Sequence, residues 1–554
     1  MVRRPPWTTS AAALAVYLAV SVLYFGVHVL AHPGRTYVGT GSDPGIFIWS
    51  LAWWPQAVLH GLEPVVTHAL SAPTGVDLAW TTAIPGLAFG LAPVTLAAGP
   101  VVAYNVAAIL LPALAAWTAF LLCRHVTRTT APSLAGGYLF GFSTYMLGQE
   151  LGHLHLSSVF LVPLVALVVL RFLEGALSRR GFVVRLAPLL AFQFAFSTEV
   201  FFTVTLAIAA ALAIAVVTVP ALRARVRALL APLAGAYAGC AVLVSPLLAY
   251  ALSDFRSGTI TPTEGSPASL VSFVAPTALT RIGARWAETL DPLIPAVSAE
   301  HGQYLGLPTI AIVVWLAWAR RRSPGIRFLA AALAVAVIAT FGSWLHLRSY
   351  RLLPLPWLAV RHLPLFDNVI PLRFSLYVSL AAAVAVAVWA ASPRHSRWIR
   401  VTLAGAAVVS LVPNLTLGVW HTTPPRPAFF AAGLYRSCLP RDANVLVLPP
   451  PSRTDALLWQ AESDFRYRMA NGSLSPALPH GLPRPRIAAE IADNDIPRRG
   501  LADILTLARA QRVDAILVTP GGEQWGRVLD PALHPRPVGG VALYPLRASR
   551  LERC

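Results

Sequence analysis

The sequence predicts a polytopic α-helical membrane protein, with about eleven transmembrane helices over residues 1–419 and a small α/β domain over residues 420–554. Three observations predict it. The 554 residues are 56% hydrophobic and only 12% charged, with a mean hydropathy of +0.63, outside the range of soluble globular domains. The apolar runs approach the roughly twenty residues that cross a bilayer. The basic residues are all Arg and gather in short clusters between alternate runs. That pattern makes the net charge of +19 a signature of topology rather than of nucleic-acid binding.

The elements follow in order. Residues 11–30 form an apolar run behind Arg3 and Arg4, with no clear cleavage site, and read as an uncleaved first helix. This helix leads into a first outer loop, residues 32–100. The loop is centred on Gly39-Thr40-Gly41-Ser42-Asp43-Pro44-Gly45 and continues through Trp49, Trp53 and Trp54. Ser42 or Asp43 suits a helix cap and Pro44 the first helical position. The tryptophans suit a helix lying in the membrane interface. Residues 84–98 are apolar but short, and Pro85 and Pro93 interrupt them. They read as re-entrant or interfacial, because a true span there would put Arg124 and Arg128 outside.

Helices then fall at about residues 101–122 and 132–147 and continue to alternate. The inner turns carry Arg171, Arg179, Arg180 and Arg185, then Arg223, Arg225 and Arg227, then Arg320, Arg321, Arg322 and Arg327, then Arg394, Arg397 and Arg400. Glu174 is the single acid among them, and a long outer loop covers residues 252–306. The N-terminus is expected in the cytoplasm and the C-terminal domain outside the plasma membrane. His421-Thr422-Thr423-Pro424-Pro425 reads as a linker. Strands are expected at residues 444–448, 513–518 and 540–544, with a helix at 501–511. Cys123 and Cys240 lie in apolar runs, whereas Cys438 and Cys554 could pair in an exported domain.

No Walker A, Rossmann fingerprint, HExxH or paired CxxC motif is present. The inner turns are too short to build a nucleotide-binding domain. What remains is polar chemistry at the outer helix ends. Asp43 is the candidate catalytic base; the alternative is a first-turn acid that stabilises its helix by about 0.5–2 kcal/mol. Glu150, His153 and His155 follow one outer helix end and could bind a divalent metal or a phosphate, or pass a proton. Glu199 sits between Phe196 and Phe201 at another helix end, where ionisable groups tend to face a cavity. Arg361 and Arg373, with His362 and Asp367, could grip phosphate oxygens or snorkel to lipid headgroups. Tyr304 ends the weaker segment Glu300-His301-Gly302-Gln303-Tyr304.

Across about residues 11–417 this organisation resembles the GT-C superfamily of integral membrane glycosyltransferases, which includes the protein O-mannosyltransferases and the lipid A aminoarabinose transferases. The resemblance rests on Ser42-Asp43-Pro44 in the first outer loop, Gly99-Pro100-Val101-Val102-Ala103-Tyr104-Asn105 at a helix start and His153-Leu154-His155-Leu156-Ser157-Ser158 leading to Pro163. A fourth segment, Leu363-Pro364 to Arg373-Phe374, is similar to the loop before a late helix in YfhO-like relatives. Pro44 stands where the family commonly carries a second acid. The resemblance implies a polyprenyl-phosphate sugar donor and an extracytoplasmic glycan, lipid or protein acceptor. It also implies Asp43 as general base and Arg373, with Arg361 or His153, at the departing phosphate. A flippase of lipid-linked sugars and a non-catalytic envelope-assembly protein are the rival readings, and the sequence points to no certain cofactor beyond the divalent metal just considered.

Overall fold

A computed structural model describes residues 6–253, 268–283, 297–348, 350–475 and 478–547. Its contacts divide the chain into two compact units. One contains Met1–Leu30, Val106–Ser245 and Arg256–Trp420; the other contains Ala31–Asn105, Pro246–Phe255 and His421–Cys554. The boundary expected at residue 419 therefore regroups: the first outer loop belongs with the C-terminal segment, not with the helical part.

The first unit is built of helices. Among the described residues, six helical stretches are long and apolar enough to cross a membrane: Thr8–Gly26, Pro100–Thr127, Leu154–Leu173, Thr198–Thr218, Pro220–Leu243 and Pro371–Ala391. Leu307–Ala319 and Pro324–Thr340 are shorter apolar helices. The span expected at residues 132–147 is broken into Ala131–Gly141 and Thr144–Gln149, because Ser143 leaves the helical conformation and its side chain caps Met146 N. Serine caps recur where the sequence restarts a helix. Ser178 accepts from Gly181 N, Ser197 from Val200 N and Ser396 from Ile399 N.

The expected inner arginines finish neighbouring helices. Arg225 Nη1 donates to Leu173 O at 2.6 Å, Arg327 Nη2 to Thr218 O at 3.2 Å and Arg400 Nη1 to Ala390 O at 3.0 Å. Each satisfies a last-turn carbonyl at the negative end of a helix dipole. The Ser375–Ala391 helix runs through the centre, buried along most of its length, and packs on Ala131–Gly141, Leu307–Ala319 and Pro324–Thr340.

The second unit has a five-stranded sheet: β1 (Asn444–Leu448), β2 (Arg468–Met469), β3 (Ala515–Val518), β4 (Arg536–Val538) and β5 (Val541–Pro545), in the order β4-β5-β3-β1-β2. β1 lies parallel to β2 and β3, with Val445 opposite Ala515 and Leu448 opposite Val518, whereas β5 is antiparallel to β3 and β4. The strands and the helix at Leu501–Ala510 match the expected positions to within about two residues. Gly539 and Gly540, at φ +56° and +85°, make the tight β4–β5 turn. Every β1 residue is buried, so both of its faces are covered. One face packs on Ile487, Ile491, Ile504, Leu507 and Trp525.

The segment Ala31–Asn105 completes this unit. Its Asp43–Leu59 helix was expected to lie in the membrane interface, but it is a core element. Trp49, Trp53 and Trp54 are buried, and the helix packs on Ala456–Glu462. Trp49 stacks on Trp53 at 5.4 Å, and Phe465 meets both rings edge-on. The indole nitrogens are satisfied by protein: Trp49 Nε1 donates to Gln460 Oε1 at 2.7 Å and Trp54 Nε1 to Ala83 O at 2.7 Å. Backbone pairing ties the segments further. Tyr37–Val38 pairs antiparallel with His421–Thr422, so the expected linker begins as a strand. Residues 84–98 form two short helices, Pro85–Gly90 and Ala92–Ala98. Cys438 is disulfide-bonded and Cys123 and Cys240 are free; Cys554, its expected partner, lies outside the described residues.

Candidate active site

The first unit concentrates its buried charge at one point. Ser197 caps the Thr198–Thr218 helix and sets Glu199 in its first turn, where the dipole favours a carboxylate. Arg373 lies in the turn before the Ser375–Ala391 helix. Its Nη1 donates to Glu199 Oε2, while Nε and Nη2 form a fork on Glu300, with Nε to Oε2 at 3.0 Å. The three side chains are only 13–20% exposed. His153 Nδ1 lies 3.8 Å from Glu300 Oε1 and 2.8 Å from Gln149 Oε1. The His155 ring is 6.1 Å from the His153 ring.

Residues 298–304 reach this point by close backbone packing. A Cβ on Gly302 would meet Tyr145 Cα at 2.5 Å, and one on Gly148 would meet Ala299 O at 2.5 Å. Gln149 Nε2 donates to Ala299 O, and Thr144 Oγ1 to Tyr304 O. Glu300 is therefore held in place by its own backbone. Burial pushes the Glu300 carboxyl up, but the charge and hydrogen bonds of Arg373 outweigh this and hold it below the ordinary glutamate value.

The expected residues divide. Glu199, Arg373, His153 and His155 come together. Glu150 is buried nearby in sequence, and burial pushes its carboxyl up to about 8, against a smaller opposing pull from Ser157. Tyr304 instead lines a small void with Leu139, Ser143, Thr309 and Ser379. Arg361 donates from Nε to His362 Nε2 at 3.0 Å. Asp43 stands in the second unit at the start of the Asp43–Leu59 helix, with Ser42 at the cap position and Pro44 in the first turn. In the sequence Glu300 is one polar residue of the segment Glu300–Tyr304; its distance from Arg373, 73 positions, hides the fork. Among the described residues no group of three or more His, Cys, Asp or Glu is arranged to hold a metal ion. Three of the five N–H groups of Arg373 are spent on carboxylates.

Beside this cluster the same unit holds an apolar cavity of about 1030 Å³. Phe374, Tyr377 and Trp357 line it together with Val204, Leu329 and Val384, and Arg320 and Arg394 are also on its wall.

Residues 13–412 match a family described as a domain of unknown function, DUF6311. The chain belongs to this family. No curated protein matches it. The DUF6311 chain is similar in fold to several solved structures. Over 99% of its length it resembles arabinofuranosyltransferase AftD from Mycobacteria, at 15% identity and a TM-score of 0.58, but it spans only 40% of that protein. Over 96% of its length it resembles ArnT from Cupriavidus metallidurans bound to undecaprenyl phosphate, at 12% identity and a TM-score of 0.52, covering 97% of that chain. Over 97% it resembles the oligosaccharyltransferase AglB from Archaeoglobus fulgidus in complex with an inhibitory peptide and a dolichol-phosphate, at 13% identity and a TM-score of 0.50, covering 74% of that chain. All three are GT-C glycosyltransferases, and the DUF6311 protein has the GT-C fold.

Proposed function

We propose that this protein is a membrane glycosyltransferase that moves a sugar from a polyprenyl-phosphate carrier to an extracytoplasmic acceptor, a cell-envelope glycan, lipid or protein. The observation that carries the reading is the GT-C fold along nearly the whole chain, shared with one structure that holds undecaprenyl phosphate and another that holds dolichol-phosphate. The apolar cavity of the helical unit suits a polyprenyl chain. The Arg-rich ends of alternate helices support a plasma-membrane protein with a cytoplasmic N-terminus and an extracytoplasmic C-terminal domain.

In the reaction, an acceptor oxygen attacks the anomeric carbon. The new glycosidic C–O bond forms as the bond from that carbon to the phosphate oxygen breaks. The acceptor hydroxyl proton passes to the Asp43 carboxylate, and polyprenyl phosphate leaves with the bonding electron pair. No nucleotide is needed, in keeping with the absence of a nucleotide-binding motif.

The test uses the purified full chain with polyprenyl-phosphate sugars and mass spectrometry of the acceptor. Wild-type protein is expected to form product, and Asp43→Ala to lose about 10²–10⁴-fold in rate with unchanged membrane expression. Unaltered turnover in Asp43→Ala overturns the role of Asp43. Carrier transport without product, unaffected by that substitution, overturns the transferase in favour of a flippase.

A further inference from the structure

We propose that the Arg373–Glu199–Glu300 cluster recognises hydroxyl groups of the transferred sugar, and is not the cradle of the carrier's phosphate. The inference rests on the glycosyltransferase reading and specifies which part of the donor this cluster binds.

The first argument is charge. With both carboxylates ionised and His153, 3.8 Å from Glu300, neutral, one guanidinium and two glutamates sum to a single negative charge, in side chains at most one-fifth exposed. A phosphate brought against this set meets a net repulsion, strengthened by the low local dielectric. A neutral polyol does not. The second argument is hydrogen-bonding capacity. Arg373 uses Nε, Nη1 and Nη2 once each on the two carboxylates, so two N–H donors remain for a ligand. On the other side, Glu199 Oε1 is a buried acceptor with no hydrogen-bond partner among the described residues, and so is Gln303 Oε1. Gln303 belongs to the same strap, its Nε2 donating to Glu300 O at 2.8 Å. Buried acceptors left open are costly unless a ligand supplies the donor. A sugar hydroxyl is both donor and acceptor, so one hydroxyl can give its proton to Glu199 and accept from Arg373. The donor's phosphate, a diester anion, carries no proton to give to Glu199.

The third argument is rigidity. Glu300 is fixed by the Gly302 and Gly148 approaches, and Arg373 is fixed by Glu300. Discrimination between sugars that differ in one hydroxyl requires groups that do not follow the ligand. The aromatic wall nearby supplies an apolar flank: Tyr377, tied through its hydroxyl to Thr203 Oγ1 at 2.9 Å, is two residues from Ser375 and four from Arg373.

The experiment compares two probes on the full-length protein in nanodiscs: undecaprenyl phosphate alone, and undecaprenyl phosphate carrying glucose, mannose, galactose or arabinofuranose. The variants are Glu199→Gln and, independently, Glu300→Gln, both isosteric, with thermal unfolding as a check on folding. Loss of one charge-assisted hydrogen bond is expected to weaken the preferred sugar-bearing probe on the order of 10- to 100-fold, leaving bare undecaprenyl phosphate within about twofold. A donor lacking one hydroxyl should bind wild type more weakly, yet be indistinguishable from the full sugar on the variant whose side chain reads that hydroxyl. If either variant instead tightens both probes, the cluster faces the phosphate and the proposal fails. Equal weakening of both probes with a lowered unfolding temperature reduces it to a structural knot, which also overturns it. If wild type binds neither probe, the transferase reading itself falls, an outcome separate from these.

Discussion

The Trp49–Gln460 contact and the Arg373–Glu300 contact are both polar pairs buried in helix-rich surroundings, and they are finished to different degrees. In the second unit, Gln460 accepts from Trp49 and donates from Nε2 to Ala69 O and Tyr467 O at 2.9 and 3.0 Å, so the amide is used on both sides. The network is neutral and closed. In the first unit, the Arg373 cluster carries formal charge, keeps two donors in hand and leaves Glu199 Oε1 open. Closed polar networks specify one packing; open ones are retained at a cost and belong where a ligand completes them.

Three substitutions sharpen the contrast, after the loss of rate expected for Asp43→Ala. Arg373→Met removes the one cation between two buried carboxylates and is expected to cost about 3–5 kcal/mol, read as a lowered unfolding temperature in detergent. A cost under about 1 kcal/mol would mean that the cluster is open to water. Trp49→Phe keeps most of the ring packing but strands Gln460 Oε1, and should cost about 1–3 kcal/mol. If the two variants are equally mild, the distinction between closed and open networks collapses.

Glu150→Gln has the clearest dependence on pH. Below the ordinary glutamate value the carboxyl is protonated in both folded and unfolded chains. As pH rises, the unfolded chain releases its proton first, so stability falls until about 8, where the folded carboxyl ionises. The glutamine variant should therefore match wild type near pH 4 and exceed it by at least ~1 kcal/mol at pH 8.5. Parallel stability curves would overturn that account.

The helical unit was legible because its signals are local. Apolar runs and arginines at alternate ends each act within a few turns of their own position, and the strands at residues 444–448 and 515–518 show the short apolar runs of a buried sheet. The Asp43–Leu59 helix was misread because much of its cover is remote in sequence. Trp49, Trp53 and Trp54 suit a membrane interface as well as a protein core; Gln460 and Phe465 decide for Trp49 and Trp53, and Ala83 and Phe89 for Trp54. The site was half legible for the same reason. Glu199 and Arg373 stand out as charges at apolar helix ends, whereas Glu300 looks like one polar residue in a polar segment until the chain brings it to the guanidinium.

The Trp49–Gln460 bond joins positions 411 residues apart. At a synthesis rate of about 5–20 residues per second, the tryptophan helix leaves the ribosome roughly 20–80 s before its partner exists. For that interval Trp49 and Trp53 lack Gln460 and Phe465, and the part of the second unit made first is the last to be sealed. Mistimed or truncated chains would then fail first at this loop, with the bilayer helices already inserted.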